Sequence, residues 1–105
     1  PRGRWLLDPK HAQSASELAL TGRIDGQLSS IVIDRTFVDA EGTRWIVDYK
    51  TGVHEGAGLE DFLDQEQERY RPQLERYAAF MRQLGPEPIR LGLYFPLLGA
   101  WREWS

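Results

Sequence analysis

Five residues, Asp39-Ala40-Glu41-Gly42-Thr43, separate two runs dense in β-branched and aromatic side chains, and no other feature restricts the fold as strongly. Asp39 and Gly42 supply turn chemistry, with the glycine free to take the left-handed position of a short hairpin loop. The flanking runs, Ile31-Val32-Ile33-Asp34-Arg35-Thr36-Phe37-Val38 and Trp45-Ile46-Val47-Asp48-Tyr49-Lys50-Thr51, are then expected to pair antiparallel. A loop centred on Glu41 sets Asp34 directly across from Asp48, with Cβ atoms about 5 Å apart on one face. Strand side chains alternate, so Lys50 emerges beside Asp48 while Trp45, Val47 and Tyr49 point the other way. A slip of one residue would separate the charged group.

Upstream, Leu18, Leu20 and Ile24 alternate along a further strand from Glu17, with Gly22 a place for it to bend. Asp25-Gly26 is a two-residue hairpin signal that folds Leu18 and Leu20 against Ile33 and Ile31. A turn at Ser29-Ser30 is the alternative, and the first is preferred because it opposes apolar partners. Arg4-Trp5-Leu6-Leu7, closed by Asp8-Pro9, reads as an edge strand and turn. Downstream, 52–58 is a glycine-rich loop and 59–70 an acidic helix, after which Pro72 opens a second helix or kinks the first. Leu74, Tyr77, Ala78, Met81 and Leu84 recur at helical spacing until Gly85-Pro86. The 89–95 run returns as a strand parallel to the hairpin sheet, and 100–104 is a last short strand. The fold class is α+β: a mixed central sheet with an antiparallel hairpin core and flanking helices.

The 105 residues, 41% apolar and 28% charged, suit one domain spanning 1–105. Cysteine is absent, which excludes disulfides and thiolate metal sites and points to the cytoplasm. No apolar run approaches the roughly 20 residues that cross a bilayer, so no membrane partner is expected. The formal charge of −3 and pI of about 5.3 argue against a simple electrostatic nucleic-acid binder. They leave room for an enzyme that gathers carboxylates around a metal. The first residues, Pro1-Arg2-Gly3-Arg4, lack an initiator methionine, and the expectation is a fragment of a longer protein. The phosphate-loop pattern G-x-x-x-x-G-K-[ST] does not occur, so any ATPase would reside elsewhere in that parent.

Two opposed carboxylates repel unless a positive charge lies between them, and Mg²⁺ typically takes one or two carboxylates with water and phosphate oxygens. Asp34 and Asp48 have that character. The Tyr49 carbonyl is a further candidate ligand, and Lys50 can hold a phosphate or polarise water. This arrangement suits phosphodiester hydrolysis. The bland alternative is a surface ion pair worth under about 1 kcal/mol. Against it, Ile46 and Val32 are expected to flank the charges on the same face and make it partly apolar.

Three segments together, Ile33-Asp34-Arg35, Trp45-Ile46-Val47-Asp48-Tyr49-Lys50-Thr51-Gly52 and Tyr70-Arg71-Pro72-Gln73-Leu74-Glu75-Arg76-Tyr77-Ala78, resemble the successive motifs of the PD-(D/E)XK nuclease superfamily. The likeness is to the RecB-like domain at the C-terminus of bacterial UvrD-type helicases, as in exodeoxyribonuclease V, and it spans roughly Gly22 to Leu98. It implies a restriction-endonuclease-like core, here N-terminally truncated. It also implies a Mg²⁺-dependent deoxyribonuclease, an exonuclease by analogy, with Mn²⁺ as an alternative cation. Its partners would be DNA, the helicase domain of an ATP-dependent parent and a second helicase-nuclease subunit, acting in double-strand-break repair and recombination.

By the same resemblance Asp34 is the first metal-binding acid, Asp48 the second and Lys50 the catalytic lysine. Gln73 and Tyr77, four apart on one helix face, support DNA binding; Tyr77 also suits the apolar core. Asp25, in Gly22-Arg23-Ile24-Asp25, mimics the first-acid motif but is read as a turn residue. For the upstream ligand the family often has, His11 is the candidate histidine, read as a surface residue, and Glu17, facing Asp34, is a weaker substitute. His54 in the glycine-rich loop is read as solvated. The competing function is a catalytically inactive nuclease-like scaffold that binds DNA in a repair complex, and the blandest reading is an unrelated α+β binding domain.

Overall fold

The computed structural model describes residues 2–6, 11–51 and 58–105. In chain order the elements are α1 (Arg2–Leu6), β1 (Ala12–Ile24), β2 (Gln27–Val38), β3 (Arg44–Tyr49), α2 (Leu59–Arg82), β4 (Ile89–Phe95) and β5 (Ala100–Trp104). Among the described residues the strands form one five-stranded sheet in the order β1-β2-β3-β4-β5. All neighbours are antiparallel except β3 and β4, which run parallel with α2 as the crossover. This is the mixed α+β sheet expected from the sequence. No helix among the described residues is long and apolar enough to cross a membrane.

Turn chemistry sets both hairpin registers. Asp25 and Gly26 both adopt positive φ, 52° and 79°, and Ile24 pairs with Gln27, a two-residue hairpin loop of the primed type. Leu18 faces Ile33 and Leu20 faces Ile31, so the turn is not at Ser29-Ser30. In the second hairpin Asp39 Oδ1 accepts from the Glu41 and Thr43 amides at 2.9 and 3.0 Å, and Oδ2 accepts from the Trp45 indole at 2.8 Å. The pairs from Val38↔Arg44 to Arg35↔Val47 are those of a loop centred on Glu41.

Burial alone would raise the Asp39 pKa, but the hydrogen bonds from Trp45, Thr43 and Glu41 outweigh it and lower the value. Its stabilising contribution is therefore present above the ordinary 3.8 and lost as pH falls through the lowered folded value. Asp39→Asn sets an NH₂ against one of these N–H donors. It is expected to cost about 1–2 kcal/mol in urea unfolding at neutral pH, with a smaller difference from wild type in strong acid. Equal stabilities at neutral pH would show that the carboxylate does not hold the turn.

Two hydrophobic clusters lie on opposite faces. Ile31, Ile33, Ile46, Leu91, Leu93, Phe95 and Trp104 meet Leu63, Leu74, Tyr77, Ala78, Phe80 and Met81 of α2. On the other face Leu6 packs with Phe37, Trp45 and Val47, flanked by Trp5, Tyr49, Tyr94 and Trp101. Strict alternation would put Ile33 and Phe37 on one face, yet they belong to different clusters. Alternation along β2 is therefore broken between Ile33 and Phe37; Glu17 of β1, at φ +53°, lies between the partners of Arg35 and Ile33.

Two expectations are corrected and one open choice is settled. Arg4-Trp5-Leu6 is helical rather than an edge strand. In a strand, Trp5 and Leu6 would point to opposite faces, whereas a helical turn lets both pack on the aromatic cluster. Arg35 Nε then donates to the Leu6 carbonyl at 2.8 Å, satisfying an acceptor at the helix end.

Residues 59–82 form one 24-residue helix with Pro72 inside it, so of the two readings of the proline the second helix is the one excluded. Pro72 removes an N–H, but buried anchors lie on both sides of it, Leu63 before and Leu74, Tyr77 and Phe80 after. Arg71 also pairs with Glu68 and Glu75 across the proline. Leu84, assigned to the apolar stripe, lies beyond the helix and is 65% exposed. The Asp8-Pro9 turn and the 52–57 part of the loop, with His54, fall outside the described residues.

Candidate active site

The site begins where the β2–β3 ladder ends. The last pair of that register is Arg35↔Val47, and one further step places Asp34 opposite Asp48. Here the Asp34 side chain takes over the pairing: its Oδ2 accepts the Tyr49 amide at 2.8 Å. Because the N–H and C=O of a strand residue lie on one edge, the Tyr49 carbonyl opens onto the same gap. On the other side the Lys50 amide donates to the Tyr94 carbonyl at 2.8 Å, which fixes the backbone as it leaves β3.

Asp48 is only 6% exposed, with Ile46 beside it on β3 and Leu93 opposite it on β4, both fully buried. Its pKa is raised to about 6, first by burial and next by hydrogen-bonding contact with the Asp34 carboxyl. The Lys50 ammonium opposes the rise, with Nζ 2.6 Å from Asp48 Oδ2. That oxygen is buried, and among the described residues no donor reaches it with hydrogen-bond geometry. Lys50 Nζ also lies 3.6 Å from the centre of the Tyr70 ring. The expected apolar surroundings are present, but Val32 does not supply them. It is 53% exposed, while its neighbours Ile31 and Ile33 take the helix-covered face.

Asp34, Asp48, Tyr49 and Lys50 are thus brought together as expected. On α2, Gln73 Nε2 donates to the Tyr77 hydroxyl at 2.6 Å, and Tyr77 belongs to the buried core. Asp25 is a turn residue. His11 is not the surface histidine expected: it stacks on Phe37 at 4.0 Å and its Nε2 lies 2.6 Å from the Trp5 carbonyl. Those contacts hold it in the aromatic cluster. Glu17 lies between the pairs Ser16↔Arg35 and Leu18↔Ile33, level with Asp34, but is exposed. Among the described residues no third Asp, Glu, His or Cys joins the two acids in a group that could hold a metal. Tyr70 was missed as a neighbour of the lysine. Its spacing of three from Gln73 and seven from Tyr77 is the signal that places it on their helix face.

A family model of the PD-(D/E)XK nuclease superfamily matches residues 4–99. The chain belongs to the PD-(D/E)XK nuclease superfamily. A comparison with curated proteins finds no match. The five-stranded mixed sheet with its crossover helix is consistent with the restriction-endonuclease-like core of the superfamily. Membership supports nuclease chemistry by hydrolysis and implies a DNA substrate, and members typically use divalent metal ions.

The residues present fit such an ion. Two carboxylates in contact and a nearby backbone carbonyl are hard oxygen donors, the set that Mg²⁺ accepts with water completing its shell. The buried Asp48 Oδ2 has only poorly aligned charge compensation, which a cation would improve.

Proposed function

We propose that this chain is the nuclease module of a helicase-nuclease, hydrolysing DNA phosphodiesters with Mg²⁺ or Mn²⁺ and acting as an exonuclease in double-strand-break processing. The observation that carries the catalytic part is the buried Asp48 carboxylate, contacted by Asp34 on one side and by the Lys50 ammonium on the other. In this reading Asp34, Asp48 and the Tyr49 carbonyl hold the cation. When bound, it supplies Lewis-acid polarisation and a more acidic water. Lys50, 19% exposed at its side chain, remains accessible to substrate and presents its charge to a non-bridging phosphate oxygen. A water oxygen bonds to phosphorus as the P–O bond to the leaving sugar breaks, and the ammonium stabilises the charge that gathers in between. Gln73 and Tyr77, locked together by their hydrogen bond, support the strand that carries the acids and the approach of DNA. The helicase partnership rests on the sequence resemblance alone.

The test is digestion of linear and covalently closed circular DNA with either cation, alongside calorimetric titration of Mn²⁺ into wild type and Asp34→Ala. Degradation of linear DNA only, with Mn²⁺ affinity lost in the variant, supports a metal-dependent exonuclease. Cutting of closed circles would make it an endonuclease. Equal affinity in the two proteins would remove Asp34 from the metal site. Metal binding without cleavage of any substrate would favour the non-catalytic DNA scaffold.

A further inference from the structure

Once a cation occupies the acids, Lys50 needs a hold other than Asp48. Its ammonium leans on Asp48 Oδ2 at 2.6 Å, and that carboxylate is the one the cation needs. A cation at the same oxygen repels the ammonium and weakens its hold there. Lys50 has a second partner on the opposite kind of surface, the π face of Tyr70 at 3.6 Å from the ring centre. We propose that Tyr70 is the positioning residue for Lys50, its ring holding the ammonium in place when Asp48 turns to the cation. This rests on the metal-dependent nuclease reading.

The geometry favours such a role over simple packing. An aromatic ring attracts a cation most strongly when water is kept away, and Lys50 is mostly shielded at 19% side-chain exposure. Tyr70 itself is partly buried against the core below α2, so the ring is fixed before the lysine arrives. Arg69 also approaches the ring, at 5.3 Å, but its side chain is 70% exposed and directed to Glu66 at 3.8 Å. Lys50 is the closer and drier of the two cations. A π face attracts the charge without accepting a proton or occupying a metal coordination position, so it steadies the ammonium while leaving its N–H groups free for a phosphate. A carboxylate in the same place would compete with the substrate for them.

The experiment follows the Lys50 ε-methylene signals by NMR in the whole chain, for wild type, Tyr70→Phe and Tyr70→Leu, with and without Mg²⁺, together with steady-state cleavage. Ring-current shielding should move the ε-protons upfield in wild type and Tyr70→Phe but not in Tyr70→Leu, and the shift should persist when Mg²⁺ is added. At saturating DNA the leucine variant should lose about tenfold in kcat with KM little changed, and phenylalanine should restore it. Loss of the shift on adding Mg²⁺ to a wild type that cleaves DNA overturns the positioning role alone. So does a phenylalanine variant as slow as the leucine one, which would assign the effect to the hydroxyl. A wild type that shows the shift but neither responds to Mg²⁺ nor cleaves defeats the nuclease reading and the positioning role with it.

Discussion

Asp48→Asn is expected to abolish metal-dependent cleavage and, at the same time, to make the protein more stable. The sign follows from the raised pKa. In the unfolded chain Asp48 releases its proton near 3.8, whereas in the folded protein it does so at about 6. Below 3.8 the group is neutral in both states and burial costs little. Between the two values the folded state holds a proton that the unfolded state has released, so stability falls as pH rises. Above 6 the full cost of the buried charge is in place. The shift corresponds to at most about 3 kcal/mol.

Asparagine removes that cost but also ends the ion pair with Lys50, so a gain of about 1–3 kcal/mol at mildly alkaline pH is expected. Urea unfolding of both proteins in mild acid and mild alkali measures it: the variant's advantage should be largest in alkali and shrink in acid. A saturating divalent cation should stabilise wild type, by linkage, and leave the variant unmoved. If wild type and variant unfold alike at both pH values, Asp48 carries no buried-charge cost and the electrostatic account of the site fails.

How far this site could be read from sequence depended on local chemistry. The Asp39 to Thr43 loop carries its own hydrogen-bonding program in the Asp39 side chain, so the Asp34–Asp48 juxtaposition followed from counting along the chain. The Asp25-Gly26 turn was legible for the same reason. What failed depended on contacts distant in sequence. The Trp5 and Leu6 helix exists because Phe37 and Trp45 offer an aromatic floor and Arg35 takes the Leu6 carbonyl, none of which neighbouring residues announce. Pro72 reads locally as a helix break, and only the sheet packed under α2 on both sides of it holds the helix together. Val32 departs from expectation because alternation along β2 does not run unbroken: Ile31 and Ile33 take the helix-covered face and Phe37 the other, and nothing in the letters from Ile31 to Phe37 marks the break. The roles proposed for Asp34, Asp48, Lys50, Gln73 and Tyr77 rest on chemistry and resemblance.

Lys50→Met should slow cleavage by about 10²–10³-fold, the scale on which loss of one preorganised charge-stabilising donor acts. Methionine keeps the apolar stem that lies toward Tyr70 and removes only the charge, so the variant isolates the ammonium. Its effect on stability should be opposite to that of Asp48→Asn. Lys50 is the group that lowers the Asp48 pKa against burial and Asp34, and without it the carboxyl rises above 6. Near pH 8 the buried acid must then either ionise unpaired or hold a proton against the solvent, a loss of roughly 1–3 kcal/mol. In mild acid, where Asp48 is protonated anyway, the variant and wild type should unfold nearly together. The pH at which half the protein binds Mn²⁺ should also rise, because the cation has to displace a proton held more tightly. One pair thus yields two substitutions of opposite sign in stability and the same sign in activity. An exposed ion pair of the ordinary kind, worth under about 1 kcal/mol whichever partner is removed, cannot reproduce that pattern. A Lys50→Met protein that cleaves as wild type does would take the lysine out of the chemistry, whatever its stability.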